Sequence, residues 1–135
     1  MIDFIIDWKP YETTIDGYPI TLELRPLKAW AHVLLLPYFL KMDELAENSK
    51  KIANETDEQK INDWVIKSST LTVELQEICK KVFPDHVRNI TGFTVNNKPI
   101  DTLIICEEAM FGTLVMDIVG ELAKRSRISG AEAKN

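Results

Sequence analysis

The residue types that most often do chemistry are here two histidines, two cysteines and a set of carboxylates in the last third of the chain. A general base or an activated nucleophile needs a partner within hydrogen-bond reach. His32 lies between Ala31 and Val33 in an apolar stretch, and His86 follows Pro84 and Asp85. Neither stands at a known catalytic spacing from a serine, cysteine or acid, so both read as structural or surface histidines. Cys79 and Cys106 also lie in apolar stretches, with no Cys or His at ligand spacing. They read as small buried hydrophobes, with a disulfide between them left open. Glu107, Glu108, Asp117 and Glu121 could be imagined as an acid cluster. On one continuous helix, however, Glu107 and Glu121 would stand about 21 Å apart along the axis. They could not share an ion, and a solvated stripe is expected. The five glycines fall singly at 17, 92, 112, 120 and 130, so there is no phosphate-cradling loop. No catalytic residue, metal or cofactor is assigned, and the chain is read as a non-enzyme.

The elements that would hold these residues follow from periodicity. Residues 2–8 are rich in β-branched and aromatic types and predict a strand. Residues 11–15 and 18–24 flank Asp16-Gly17 and predict a hairpin, because Asp-Gly supplies the positive φ angles of a tight turn. Pro26 then suits the first turn of a helix over 27–42, which Pro37 should kink or divide. Residues 43–56 turn polar and predict a frayed end and a loop. Steps of three and four through Ile61, Trp64, Leu71, Leu75, Ile78 and Val82 predict a long helix over 57–82, capped by Thr56 or Asp57 and ended by Phe83-Pro84. A second β segment is expected over 86–95, with Asn96-Asn97 as its turn. Asp101 or Thr102 should cap a third helix over 103–125, and Ser129 to Glu132 has the spacing of a capping box. Together these predict an α+β fold: a mainly helical single domain with three main helices and small antiparallel β hairpins.

Bulk properties narrow the function. The chain has 135 residues, 45% of them hydrophobic and 27% charged, which suits one domain with a real core. A net charge of −5 argues against nonspecific nucleic-acid binding, which needs a basic surface. No apolar run approaches the roughly 20 residues of a membrane span. The first eight residues lack the basic stretch and cleavage site of a secretion signal, so a cytoplasmic protein is expected. The positive feature is an apolar surplus. Residues 27–40 and 103–123 are greasy over more than one helical face, which suggests either cover by another chain or two helices that bury each other with the sheet over the rest.

Three further stretches bear on the partner. Ile15 to Pro26 is a strand pair leading directly into a hydrophobic helix. Ile90 to Ile100 reads Ile-Thr-Gly-Phe-Thr-Val, a turn, then Lys-Pro-Ile. Residues 122–126 are followed by Ile128-Ser129 and by Glu132 to Asn135. Together they resemble the tail assembly chaperones of long-tailed bacteriophages. That resemblance implies a protein of the host cytoplasm that coats the long helical tape-measure protein before tube subunits polymerise around it. A surface that binds greasy helices must itself be greasy. On this reading the contact residues are Trp30, Leu34, Tyr38, Phe39, Met110, Phe111, Leu114 and Met116, large anchors or adaptable thioethers. The chaperone could also form a homo-oligomer. The competing expectation is a small acidic phage-encoded inhibitor or regulator of a host protein, with its acids gathered on one exposed face.

Overall fold

A computed structural model describes residues 1–126. The expected capping box at 129–132 lies outside the described residues. Strands β1 (Lys9–Ile15) and β2 (Tyr18–Leu24) form the expected hairpin, with Ile15 opposite Tyr18 and Lys9 opposite Leu24. Asp16 and Gly17 both take positive φ, 50° and 83°, as a two-residue turn with the right twist demands. On β2 Ile20, Leu22 and Leu24 are buried while the alternate residues are half-exposed or exposed. On β1 the odd-numbered Tyr11, Thr13 and Ile15 turn inward.

Residues 2–8 do not form a strand. Of their apolar members Ile2, Phe4, Ile6 and Trp8 are even-numbered and only Ile5 is odd, whereas β1 turns its odd-numbered side chains to the core. Continuing the strand would aim the apolar side at the solvent face, because side chains alternate with period two. Only Trp8 finds cover, over the Arg88 guanidinium at 4.3 Å.

Helix α1 (Ala29–Ala53) is longer than expected, and Pro37 does not divide it. Both Pro37 and Val33, whose carbonyl loses its helical N–H to the proline, face solvent, where water can satisfy that oxygen. The polar stretch expected to fray stays helical because Leu45, Asn48 and Ile52 keep a stripe at least half-buried. Helix α2 (Glu58–His86) lies antiparallel to α1; Lys41 pairs with Glu74, and Lys51 sits 6.0 Å from the Trp64 ring. Its cap is Asp57, whose side chain accepts from the Gln59 N–H at 3.0 Å. It runs one turn past Val82 through Pro84 to His86.

The second β segment is shorter than expected and joins the first hairpin instead of making its own. Strand β3 (Val87–Thr91) pairs antiparallel with β2, giving one sheet ordered β1-β2-β3. Asn89 at φ 53° falls where the β2–β3 register shifts, between the Arg88 and Thr91 pairs, and Gly92 at φ 111° follows the strand's last residue. At Gly92 a Cβ would lie 2.7 Å from the Pro19 carbonyl oxygen, so no larger residue fits there unshifted. Asn96 and Asn97 do make the expected turn, at φ 51° and 61°, closed by the single bridge Val95–Lys98.

The expected third helix is two helices. Asp101 caps α3 (Thr102–Glu107), accepting from the Ile104 N–H at 2.9 Å. Glu108 is extended, one 3₁₀ turn follows at Ala109–Phe111, and α4 (Gly112–Ser126) completes the chain described. A straight helix apolar all round could not bury every side at once. The break lets Ile105 and Cys106 face the core from one segment, and Phe111, Leu114, Ile118 and Leu122 from the next. These meet Ile20, Leu22 and Leu24 of the sheet in one apolar cluster.

Candidate partner-binding surface

The eight residues proposed for contact separate by burial. Tyr38, Phe111 and Leu114 lie in the core, 3–4% exposed, and Leu34 is half-buried. Their burial leaves them little surface to offer in this form. Trp30, Phe39, Met110 and Met116 stand out at 41%, 40%, 78% and 52% exposed. Trp30 meets the buried His86 ring edge-on at 5.5 Å, and Phe39 meets Tyr38 the same way at 5.6 Å.

Tyr38 and Met116, from helices far apart in sequence, line one groove. Its walls are Tyr38, Met42 and Leu45 of α1, Leu75 and Cys79 of α2, Cys106 of α3, and Val115 and Met116 of α4. It encloses about 220 Å³, and the polar groups among its lining are few, chiefly Thr72, Gln76 and Glu108. Met42 and Met116 at its wall are unbranched thioethers that can repack around irregular apolar shapes. Met110, Phe111, Leu114 and Met116 also line a wider, half-polar cavity of about 600 Å³ between α4 and the hairpin tip. Met116 borders both. The groove residues Met42, Leu45 and Val115 were not singled out from sequence, although Met42 falls four residues after Tyr38 on the same helical stripe.

Both cysteines are free and buried, and they meet at the groove. Contact with the Cys106 thiol, then burial, pushes the Cys79 thiol well above the ordinary range. That holds it protonated and unreactive as a nucleophile. Burial likewise raises the Tyr38 phenol, with the two thiols adding to the effect.

The carboxylates that might have formed a cluster are each taken up separately. Asp117 accepts from the Tyr11 hydroxyl at 2.7 Å and from the Thr13 hydroxyl, which ties β1 to α4. Burial and that carboxylate raise the Tyr11 phenol to about 12. Glu121 pairs with Arg125 at 2.9 Å, and Glu107 with Lys80 at 3.3 Å. Glu108 lines the groove, but neither histidine does. His32 is exposed on α1, and His86 is buried at the end of α2. Among the described residues no three His, Cys, Asp or Glu side chains converge as a metal site would need. No helix among them is long and apolar enough to cross a membrane. Comparison with family models, with curated proteins and with solved structures finds no match for this chain.

Proposed function

We propose that this chain is a non-catalytic holding protein of the phage tail assembly chaperone type, which covers apolar helical segments of a tape-measure client before the tail tube forms. The observation that carries the reading is the apolar groove between α1, α2 and α4, with Met42 and Met116 at its wall. A helical client would lay its i, i+3, i+4 and i+7 side chains into such a groove, and thioethers would adapt to a varied sequence. The mainly apolar lining of the groove supports recognition of a greasy client as its role. Named contacts are Met116 and Met42 at the wall, with Met110 and Phe39 beyond it.

The test is co-expression with an apolar helical segment of a tape-measure protein, scoring the soluble fraction of that client. Wild type should keep it soluble. Met116→Lys, at a position 52% exposed, should fold normally by circular dichroism yet lose most of that effect. A client that stays insoluble beside the wild-type protein would overturn the reading.

A further inference from the structure

Helix α1 carries a second apolar surface on the side away from the core. Ala31, Leu35 and Tyr38 face inward, whereas Val33, Leu36 and Leu40 are 72%, 66% and 60% exposed. The spacing is three then four, and it continues through Asp43 and Glu47, both exposed. Val33, Leu36, Leu40, Asp43 and Glu47 therefore occupy successive a and d positions of a heptad seam, apolar at one end and acidic at the other. Glu44 lies beside the acidic end. Among the described residues Asp43 and Glu44 make no ion pair, and Glu47 has only Lys50 at 3.8 Å, both largely exposed.

We propose that this seam docks an amphipathic helix of another protein, whose own apolar stripe runs into lysines or arginines placed opposite Asp43 and Glu47. The charges select this occupant over the alternatives. A parallel second copy would set Asp43 against Asp43 and Glu47 against Glu47. An antiparallel copy centred on Leu40 would set Val33 against Glu47 and Leu36 against Glu44, burying acids on aliphatic side chains. One that sets Val33 against Leu40 would leave Glu47 opposite Pro26, beyond the start of the other copy's α1, so that its acids hold nothing. The exposed segment at residues 2–7 brings Asp3 and Asp7, like charges for the acidic end. A basic-ended helix meets both halves of the seam. The acids then act as the element that rejects wrong partners as well as holding the right one.

The experiment measures fluorescence anisotropy with two synthetic helical peptides of about three heptads. Both carry leucine at the a and d positions of the apolar half; one ends that stripe in lysines, the other in glutamates. The lysine peptide should bind at least tenfold more tightly than the glutamate peptide, and should weaken as salt rises. Leu36→Glu should abolish binding, and Asp43→Lys with Glu47→Lys should reverse the preference; all three positions are exposed, so the fold should survive. Equal binding of the two peptides overturns the proposal. So does binding that survives Leu36→Glu but falls with Met116→Lys, or self-association that depends on Leu36. The inference rests on the holding reading only for the identity of its partner. A solubilised tape-measure client with no peptide preference sinks the seam alone, whereas peptide binding without client solubilisation sinks the holding reading alone.

Discussion

His86 is fully buried with both ring nitrogens engaged. The Lys28 backbone N–H donates to Nε2 at 2.9 Å, so that nitrogen must be bare, and Nδ1–H donates to the Val82 carbonyl at 2.6 Å. A second ring proton would point at the Lys28 N–H and cost the bond that opens α1. The imidazole is accordingly held below its ordinary value, first by burial; the nearby Arg25 and Lys28 charges lower it further, against the Val82 carbonyl and Asp85, which raise it. The unfolded chain therefore takes up a proton before the folded one does. Stability from this residue is fully present above the unfolded value of 6.5 and is lost as pH falls below it towards the lowered folded value. Denaturant midpoints of the wild type should thus drop between pH 7 and pH 5. His86→Gln, which keeps an acceptor for Lys28 but has no such titration, should start lower at pH 7 and change less. Parallel curves for the two proteins would refute the assignment. Nothing at the level of sequence marked this role: a histidine after Pro84-Asp85 gives no sign that its ring will reach the start of another helix.

At the scale of elements, what could be read from the chain was what local chemistry decides. Asp16-Gly17 and Asn96-Asn97 made their turns because those residues tolerate positive φ. Asp57 and Asp101 capped their helices because a short acid reaches the free N–H groups of the first turn. What stayed hidden depended on distant partners. Glu108 breaks a helix with no proline or glycine of its own, because two apolar faces need one core. The polar stretch at 46–53 is helical because α2 lies against it, and composition alone argued for a loop. The same helix pair explains an oddity. Asn48 is 4% exposed with its amide nitrogen unpaired, and the Ser68 hydroxyl is unpaired as well. By the register that Lys41–Glu74 and Lys51–Trp64 set, they lie at the same level of the α1–α2 seam. Two orphaned polar groups facing one seam cost stability and can fix its register. Asn48→Leu should raise the unfolding free energy by about 1 kcal/mol, read from urea midpoints. A loss of similar size would mean that Asn48 has a partner that matters.

For the molecule as a whole, the candidate surface depends on how three helix ends and the sheet are joined. The chain between β2 and α1 carries no side-chain cap of its own at Lys28. Instead Arg25 N–H donates to the His86 carbonyl at 3.3 Å, Lys28 N–H donates to the His86 ring, and Leu27 N–H donates to the Ser126 hydroxyl at 2.7 Å. The lead-in to α1 is therefore tied to the ends of α2 and α4, and Arg125 reaches the Lys9 and Pro10 carbonyls of β1 from the same end of α4. This junction sets the angle at which α1 leaves the sheet. That angle in turn places Tyr38 and Met42 opposite Val115 and Met116 and turns Val33, Leu36 and Leu40 outward. A local break there should be felt at both surfaces. Ser126→Ala leaves the largely buried Leu27 N–H without its acceptor and should cost about 1 kcal/mol of stability. Because the junction is shared, amide exchange should quicken in the first turns of α1 as well as in the last turn of α4. Exchange that quickens in α4 alone would show that α1 is seated by its apolar face without help from the junction.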